Sequence, residues 1–302
     1  MYYPELLLGM AMQPYIFWHG FISHNAPPAL FRNSDDFFPE IPSSHLWHIF
    51  CNAMNNIYTS RLNGLPDWDM FQSSLPTYGS IHAAARCISG GPIYITDSPG
   101  SHNVKLIQQM SAVAPAGNTV ILRPSLVAKP TDPFVTYQGM RLLRVGNFSG
   151  GKGGNSLLAV FNTATTRVTE IFKLSDFPGI VPGEKYAIRA FQANSVVEGS
   201  ATMTVTVQPN GWEFFTATRV VRARVSNEPG VDLGSFGLTD KIVGAAAVLG
   251  QEVIVTSNAP GQQRVTLNVK LKALGKLGMF TPTPHKFCLY KKTLTRCRVL
   301  HL

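Results

Sequence analysis

Ala29-Leu-Phe-Arg-Asn-Ser-Asp-Asp-Phe-Phe38 and Leu65-Pro-Asp-Trp-Asp-Met-Phe-Gln72 decide the fold. Each opens as a short strand, ends in carboxylates and runs into a stretch of helical character. After the first, Pro42-Ser-Ser gives a helix start, and Leu46, Ile49, Phe50, Ala53, Met54 and Ile57 recur at helical spacing up to Leu62. After the second, Ser80 to Cys87 reads as a helix that Gly90-Gly91 ends. Pro92 to Thr96 then reads as a third strand, and Asn103 to Met110 as another helix. Three strand–helix units in series predict a parallel α/β sheet. In an α/β barrel the active site is built at the C-terminal ends of the strands, which is where these acids fall. Side chains alternate along a strand, so Asp67 and Asp69 share a face, whereas only one of Asp35 and Asp36 faces a pocket. The plainer reading is that such acids cap the next helix or lie in solvent.

Composition bounds the rest. The chain has 302 residues, 45% hydrophobic and 14% charged, with 26 Gly and 21 Pro, a turn-rich globular balance with room for two domains. Of its 26 Lys and Arg, eight lie from Lys270 onward with no Asp or Glu. That leaves 18 basic against 17 acidic residues before it, so the net charge of +9 belongs to the tail. The body offers no basic groove with interleaved aromatics, which argues against nucleic acid as a partner. No apolar run is long enough to span a bilayer, and Met1 to Leu8 carries Glu5 and no basic region, so no membrane partner or signal peptide is expected. Cys51, Cys87, Cys288 and Cys297 lack metal-ligand spacing and read as reduced thiols, pointing to a cytoplasmic location.

From Met140 the pattern changes to short β-like runs, among them Ser156–Asn162, Val168–Leu174, Tyr186–Phe191 and Ala201–Val207, separated by Gly, Pro and Asn. They predict an antiparallel β-sandwich. Gly146-Asn-Phe-Ser-Gly-Gly-Lys-Gly153 fits a phosphate loop up to its lysine. Gly153 then replaces the Ser or Thr that would hold magnesium, and a strand follows instead of a helix, so a hairpin is the better reading. His45 and His48 lie three apart on a helix without a third or fourth ligand, which predicts structural or exposed histidines and no metal. Met10–His19 reads as a remnant of a strand and its loop.

Arg32-Asn-Ser-Asp-Asp-Phe-Phe-Pro39, Leu65-Pro-Asp-Trp-Asp-Met-Phe71 and the run from His82-Ala-Ala-Ala-Arg86 to Ile93-Tyr-Ile-Thr-Asp97 resemble the raffinose synthase and seed imbibition protein branch of glycoside hydrolase family 36, especially its fungal α-galactosidase-like members. The likeness is specific from about Pro28 to Asn103 and general to about Phe280. It implies that residues 1–125 hold the last strand–helix units of a (β/α)8 barrel, strands six to eight, with the first half upstream of Met1. Residues 126–280 would then form the C-terminal β-sandwich, followed by a basic tail, 281–302, of doubtful order. The implied function is retaining α-galactoside hydrolysis, or galactosyl transfer of the raffinose-synthase type, on α-galactosyl oligosaccharides without a cofactor.

By motif match Asp35 is the acid/base and Asp36 the fallback. Arg32, Asp67, Trp68, Asp69 and Met70 line the galactose pocket, Trp68 either as a stacking platform or as core. Asp97 to Asn103 resembles a loop at the site's mouth, read as a turn first and a sugar contact second. The family's nucleophile sits in a Lys-x-Asp motif on an earlier strand, and no Lys-x-Asp occurs in this sequence. The chain is therefore expected to be inactive alone, and its alternative is a non-catalytic remnant that binds carbohydrate weakly.

Overall fold

Three short strands bring the two acidic clusters to one edge: β1 (Tyr3–Leu8), β2 (Ala29–Arg32) and β3 (Gly64–Asp67), all parallel in the order β1-β2-β3. The computed structural model describes residues 3–8, 29–62, 64–151, 154–199, 202–225, 228–259, 262–281, 287–293 and 296–301. The expected strand remnant Met10–His19 lies outside them. Arg32 stands opposite Asp67 in the register, and Asn33 N–H continues the pairing to the Asp67 carbonyl at 2.9 Å. Both acidic clusters therefore leave the sheet at the C-terminal end of adjacent strands.

Helix α1 (Pro42–Thr59) connects them. Proline at its first turn lacks the N–H that would have no partner there. No side chain caps the helix, and Ser44 instead donates to the Ile41 and Phe38 carbonyls. The expected apolar stripe is only part of its buried face. Ile49 and Ala53 are buried, but so are His45, His48, Asn52, Asn56 and Thr59, while Leu46, Phe50 and Met54 are partly covered. Most of the polar groups on this buried face are hydrogen-bonded, as burial demands, with His48 Nδ1 and Asn52 Oδ1 the exceptions. Helix α2 (Gly79–Ser89) follows, closed by Gly90 at φ 78°, where an added Cβ would meet the Leu126 carbonyl; Arg123 donates to the freed Gly90 carbonyl at 2.7 Å. Asn103 caps α3 (Val104–Met110) by accepting from Leu106 N–H.

The third strand expected over Pro92–Thr96 is reduced to one parallel bridge, Phe71 to Ile95, with Thr96 N–H on the Phe71 carbonyl. Asp69 adopts φ 65°, which turns the chain out of the sheet after β3, and Pro92 has no donor to extend a ladder. Beyond it, β4 (Ser111–Val113) and β5 (Thr119–Ile121) form a small hairpin.

An antiparallel six-stranded sheet then carries the all-β part. Its strands are β6 (Lys129–Pro130), β7 (Leu143–Ser149), β8 (Asn155–Phe161), β10 (Tyr186–Ala190), β11 (Val196–Glu198) and β13 (Trp212–Arg219), in the order β11-β10-β13-β8-β7-β6; β9 (Val168–Phe172) pairs separately with β12 (Met203–Val207). Strand β8 is buried on both faces, as alternation makes visible. Leu157, Ala159 and Phe161 join the core that reaches α1 and α2, while Leu158 and Val160 join Phe172, Phe177 and Phe215 beneath β9. Trp212 N–H on Ser80 at 2.8 Å and the Asn147 amide on the Ile88 and Leu126 carbonyls fasten the sheet to the helical part. Strands β7 and β8 pair antiparallel with Ser149 opposite Asn155, as the hairpin reading expects, while residues 152 and 153 of the glycine-rich segment lie outside the described residues.

Two further sheets complete the chain: β14 (Val221–Val225), β15 (Glu228–Leu238) and β18 (Leu277–Phe280), and then β16 (Val248–Ala259), β17 (Gln262–Leu271), β19 (Phe287–Thr293) and β20 (Arg296–His301) in the order β16-β17-β20-β19. The tail expected to lack order over 281–302 thus contributes two strands. Its basic residues alternate with or flank Leu, Tyr, Val and Cys, a composition that pairs as strand despite the charge.

Candidate active site

Arg32 is the centre of the cluster. It ends β2, is nearly buried, and its Nη2 reaches Asp69 Oδ2 at 2.6 Å, Asp36 Oδ1 at 2.9 Å and the Asp35 carbonyl at 3.1 Å. The two side-chain partners differ. Asp69 is wholly buried and also accepts from Phe37 N–H at 2.7 Å, whereas the Asp36 side chain is 69% exposed. Because β2 stops at Arg32, alternation does not govern Asp35 and Asp36. Asp36 turns to Arg32, while Asp35, also exposed, lies 3.9 Å from His48 Nδ1.

Asp67 and Asp69 do converge, but through a turn. β3 ends at Asp67, and the left-handed Asp69 folds its own N–H back onto Asp67 Oδ1 at 2.9 Å. Few non-glycine residues adopt that conformation, and Asp is one that tolerates it. Tyr94 closes the pair, its hydroxyl 2.6 Å from Asp67 Oδ2 and 3.3 Å from Asp69 Oδ1. Burial pushes the Asp67 carboxyl up, opposed by the bonds from Tyr94 and from Asp69 N–H. Burial together with the Asp67 bond pushes the Tyr94 phenol well up, so it stays a donor.

Behind the carboxylates stands Arg86, fully buried on α2. It donates to the Asp69 carbonyl at 3.1 Å, the Met70 carbonyl at 3.1 Å and His82 Nδ1 at 2.6 Å. Burial lowers its pKa to about 10 against the pull of Asp69 and Asp67, and it remains a cation. A guanidinium can only donate, which fixes the proton positions of the neighbouring imidazoles. His82 must accept at Nδ1, so its proton is on Nε2 and goes to His45 Nδ1 at 2.9 Å. The His45 proton then faces the Pro39 carbonyl at 3.3 Å. His48 donates through Nε2 to the Trp68 carbonyl at 3.1 Å, leaving Nδ1 bare and without a hydrogen-bond partner. Burial first, then the Arg86 charge, hold all three histidines below their ordinary value, His48 to about 3.

Of the two readings of Trp68, platform or core, its burial fits core. It is wholly buried, with its indole N–H toward Asn56 Oδ1 at 3.4 Å, because the same turn that exposes Asp69 to Arg32 drives this ring into the core beside α1. Met70 is half-buried against the core and contributes its carbonyl to Arg86. Asp97 accepts from Ser73 and Ser74 N–H, so it ties down the distant turn after Phe71 and not a turn of its own loop. Among the described residues no group of three or more His, Cys, Asp or Glu is placed to hold a metal. Tyr94, Arg86 and His82 were absent from the candidate residues. His82 and Arg86 are four apart and so share a helix face, which is the one local signal that pointed to them.

Residues 19–166, just under half of the chain, match the family described as raffinose synthase or seed imbibition protein Sip1. Among individual proteins, the probable galactinol–sucrose galactosyltransferase 6 of Arabidopsis thaliana is 41% identical over 140 residues, 44% of this chain and 17% of that protein. The galactinol–sucrose galactosyltransferase of Oryza sativa subsp. japonica is 28% identical over 292 residues, 86% of this chain and 36% of that protein. The chain therefore spans about a third or less of the length of these relatives. Among solved structures, α-galactosidase from Saccharomyces cerevisiae overlaps with a TM-score of 0.45 at 11% identity, over 67% of this chain and 61% of that one.

Proposed function

We propose that this chain carries the acid-bearing side of a retaining α-galactosyl-transfer site that acts on α-galactosyl oligosaccharides. The observation behind it is Arg32, which ties an exposed carboxylate, Asp36, to a buried one, Asp69, at the C-terminal ends of adjacent strands. In this reading β2, β3 and the Phe71–Ile95 segment are late strands of a (β/α)8 barrel, and the all-β part is the sandwich that follows it. Residues 1–125, 126–280 and 281–302 remain the proposed divisions, with β19 and β20 now part of the last.

Retaining transfer needs two carboxyl groups about 5 to 5.5 Å apart, one attacking the sugar and one giving and then taking a proton. Asp36 takes the proton-transfer role here ahead of Asp35, because its carboxylate shares Arg32 with the pocket residues while Asp35 faces His48. Asp67, Asp69 and Tyr94 form the floor that would meet sugar hydroxyls, and Met70 the edge. The attacking carboxylate has no Lys-x-Asp counterpart in these residues. One observation favours the second reading, a non-catalytic remnant with at most weak affinity for carbohydrate: Asp67 and Asp69 are 0% and 1% exposed and already satisfied by protein donors.

Incubating the 302-residue chain with an aryl α-galactoside tests both. No release of the phenol above the uncatalysed rate is expected. Release that Asp36→Asn removes would show that the chain holds a complete site and overturn the division of the two acids.

A further inference from the structure

A cleft of about 1120 Å³ opens between the start of β3 and the all-β part, at the end of the strand away from Asp67. Ser60, just past α1, and Gly90, which closes α2, lie on its rim. Every charged side chain lining it is a cation: Arg123, Lys129 and Lys272. None of the three pairs with a carboxylate among the described residues. Arg123 spends one donor on the Gly90 carbonyl, which offsets the negative end of α2. That leaves Lys272, half-buried, and Lys129 without a structural task.

The geometry points to a phosphate-binding site, and we infer that this cleft takes a small phosphate monoester. Cations gathered on a concave wall concentrate anions there, even with Arg123 and Lys129 exposed and only Lys272 half-buried. Burial and the nearby Arg123 charge both push the Lys272 ammonium pKa down, the stress that a bound dianion relieves. Ser125 and Thr131, both exposed, line the same cleft, and their hydroxyls are donors suited to phosphate oxygens. The volume is at the upper end of small-molecule sites and far exceeds one phosphate, so the anion arrives on a carrier. Phe148 and Pro178 supply an apolar wall for a compact ring. Neither Asp36 nor Asp69 lines this cleft, so the inference stands apart from the proposed sugar chemistry.

Titration calorimetry on the 302-residue chain with a hexose monophosphate, the neutral hexose and inorganic phosphate tests it. The hexose monophosphate is expected to bind with a dissociation constant below about 1 mM, and more tightly than inorganic phosphate, with no heat from the neutral hexose. Lys272→Gln should weaken it at least tenfold and Lys105→Gln, on an exposed position of α3, should not. Binding that is absent, or weakened equally by both substitutions, overturns the site. Inorganic phosphate binding as tightly as the ester overturns the monoester assignment. The Lys272 amine resonance gives an independent readout, since a bound dianion raises its titration midpoint and a purely structural lysine would not respond.

Discussion

Acidifying the protein from pH 7 to 5 is expected to remove several kcal/mol of folding stability. His48 titrates near 6.5 unfolded but only near 3 in the fold, because burial and then the Arg86 charge oppose its protonation. Over that window the unfolded chain binds the proton and the folded chain does not, so stability rises with pH and is lost as pH falls below 6.5. The slope for one such group is about 1.4 kcal/mol per pH unit, giving about 2 kcal/mol from His48 by pH 5. His82 and His45 are shifted the same way and add to the loss. The groups facing them include Arg86, Phe37, Phe71, Tyr78 and, beyond His48, Asp35. Asp67 opposes the trend, since its raised folded pKa returns stability as pH falls, but mainly nearer the carboxylate range. Native domains hold only about 5–15 kcal/mol in all, so the loss is large. Urea melts at pH 7 and pH 5 measure it. His48→Gln should flatten the difference by about one proton's share, and midpoints that coincide at the two pH values would contradict the neutral histidine cluster.

Arg32→Met is expected to cost about 3–5 kcal/mol, the toll of leaving a buried carboxylate without its cation. Asp69 is wholly buried and would keep only Phe37 N–H and the long Tyr94 contact. Asp36 loses the same guanidinium but is 69% exposed, so Asp36→Asn should change stability by less than about 1 kcal/mol. Charge and shape are separable here, because Asn tolerates the left-handed backbone at this position. Adding Asp69→Asn to Arg32→Met should therefore recover much of the loss. Denaturant unfolding of the three variants decides it. If Arg32→Met unfolds within 1 kcal/mol of the parent, the pair does not hold the strand ends together.

The alternation of strand and helix, the acids at strand ends and the arginine before them were legible because each is local. Helix α1 was found by its apolar stripe, yet its deepest face carries His45, His48, Asn52 and Asn56, and polar residues give no hydrophobic signal. Tyr94 was hidden for a different reason. It meets Asp67 across 27 residues of sequence, and only the Phe71–Ile95 bridge brings it there. The reading of Asp67 and Asp69 reached the right neighbours by the wrong route, since a left-handed turn, not alternation, folds them together. At the C-terminus, charge masked strand character: β19 and β20 pair through a sequence whose lysines and arginines suggested solvent.

A small anion supplied in place of the attacking carboxylate examines the division of the two acids most directly. With azide and phenyl α-galactoside, azide would attack the anomeric carbon while phenoxide leaves with the proton of Asp36, which water then replaces. The expected result is β-galactosyl azide from the 302-residue chain, with Asp35→Asn leaving its rate within a few-fold and Asp36→Asn lowering it by about 100-fold or more. Azide product formed as fast by Asp36→Asn as by the parent would contradict the role given to the carboxylate that Arg32 holds.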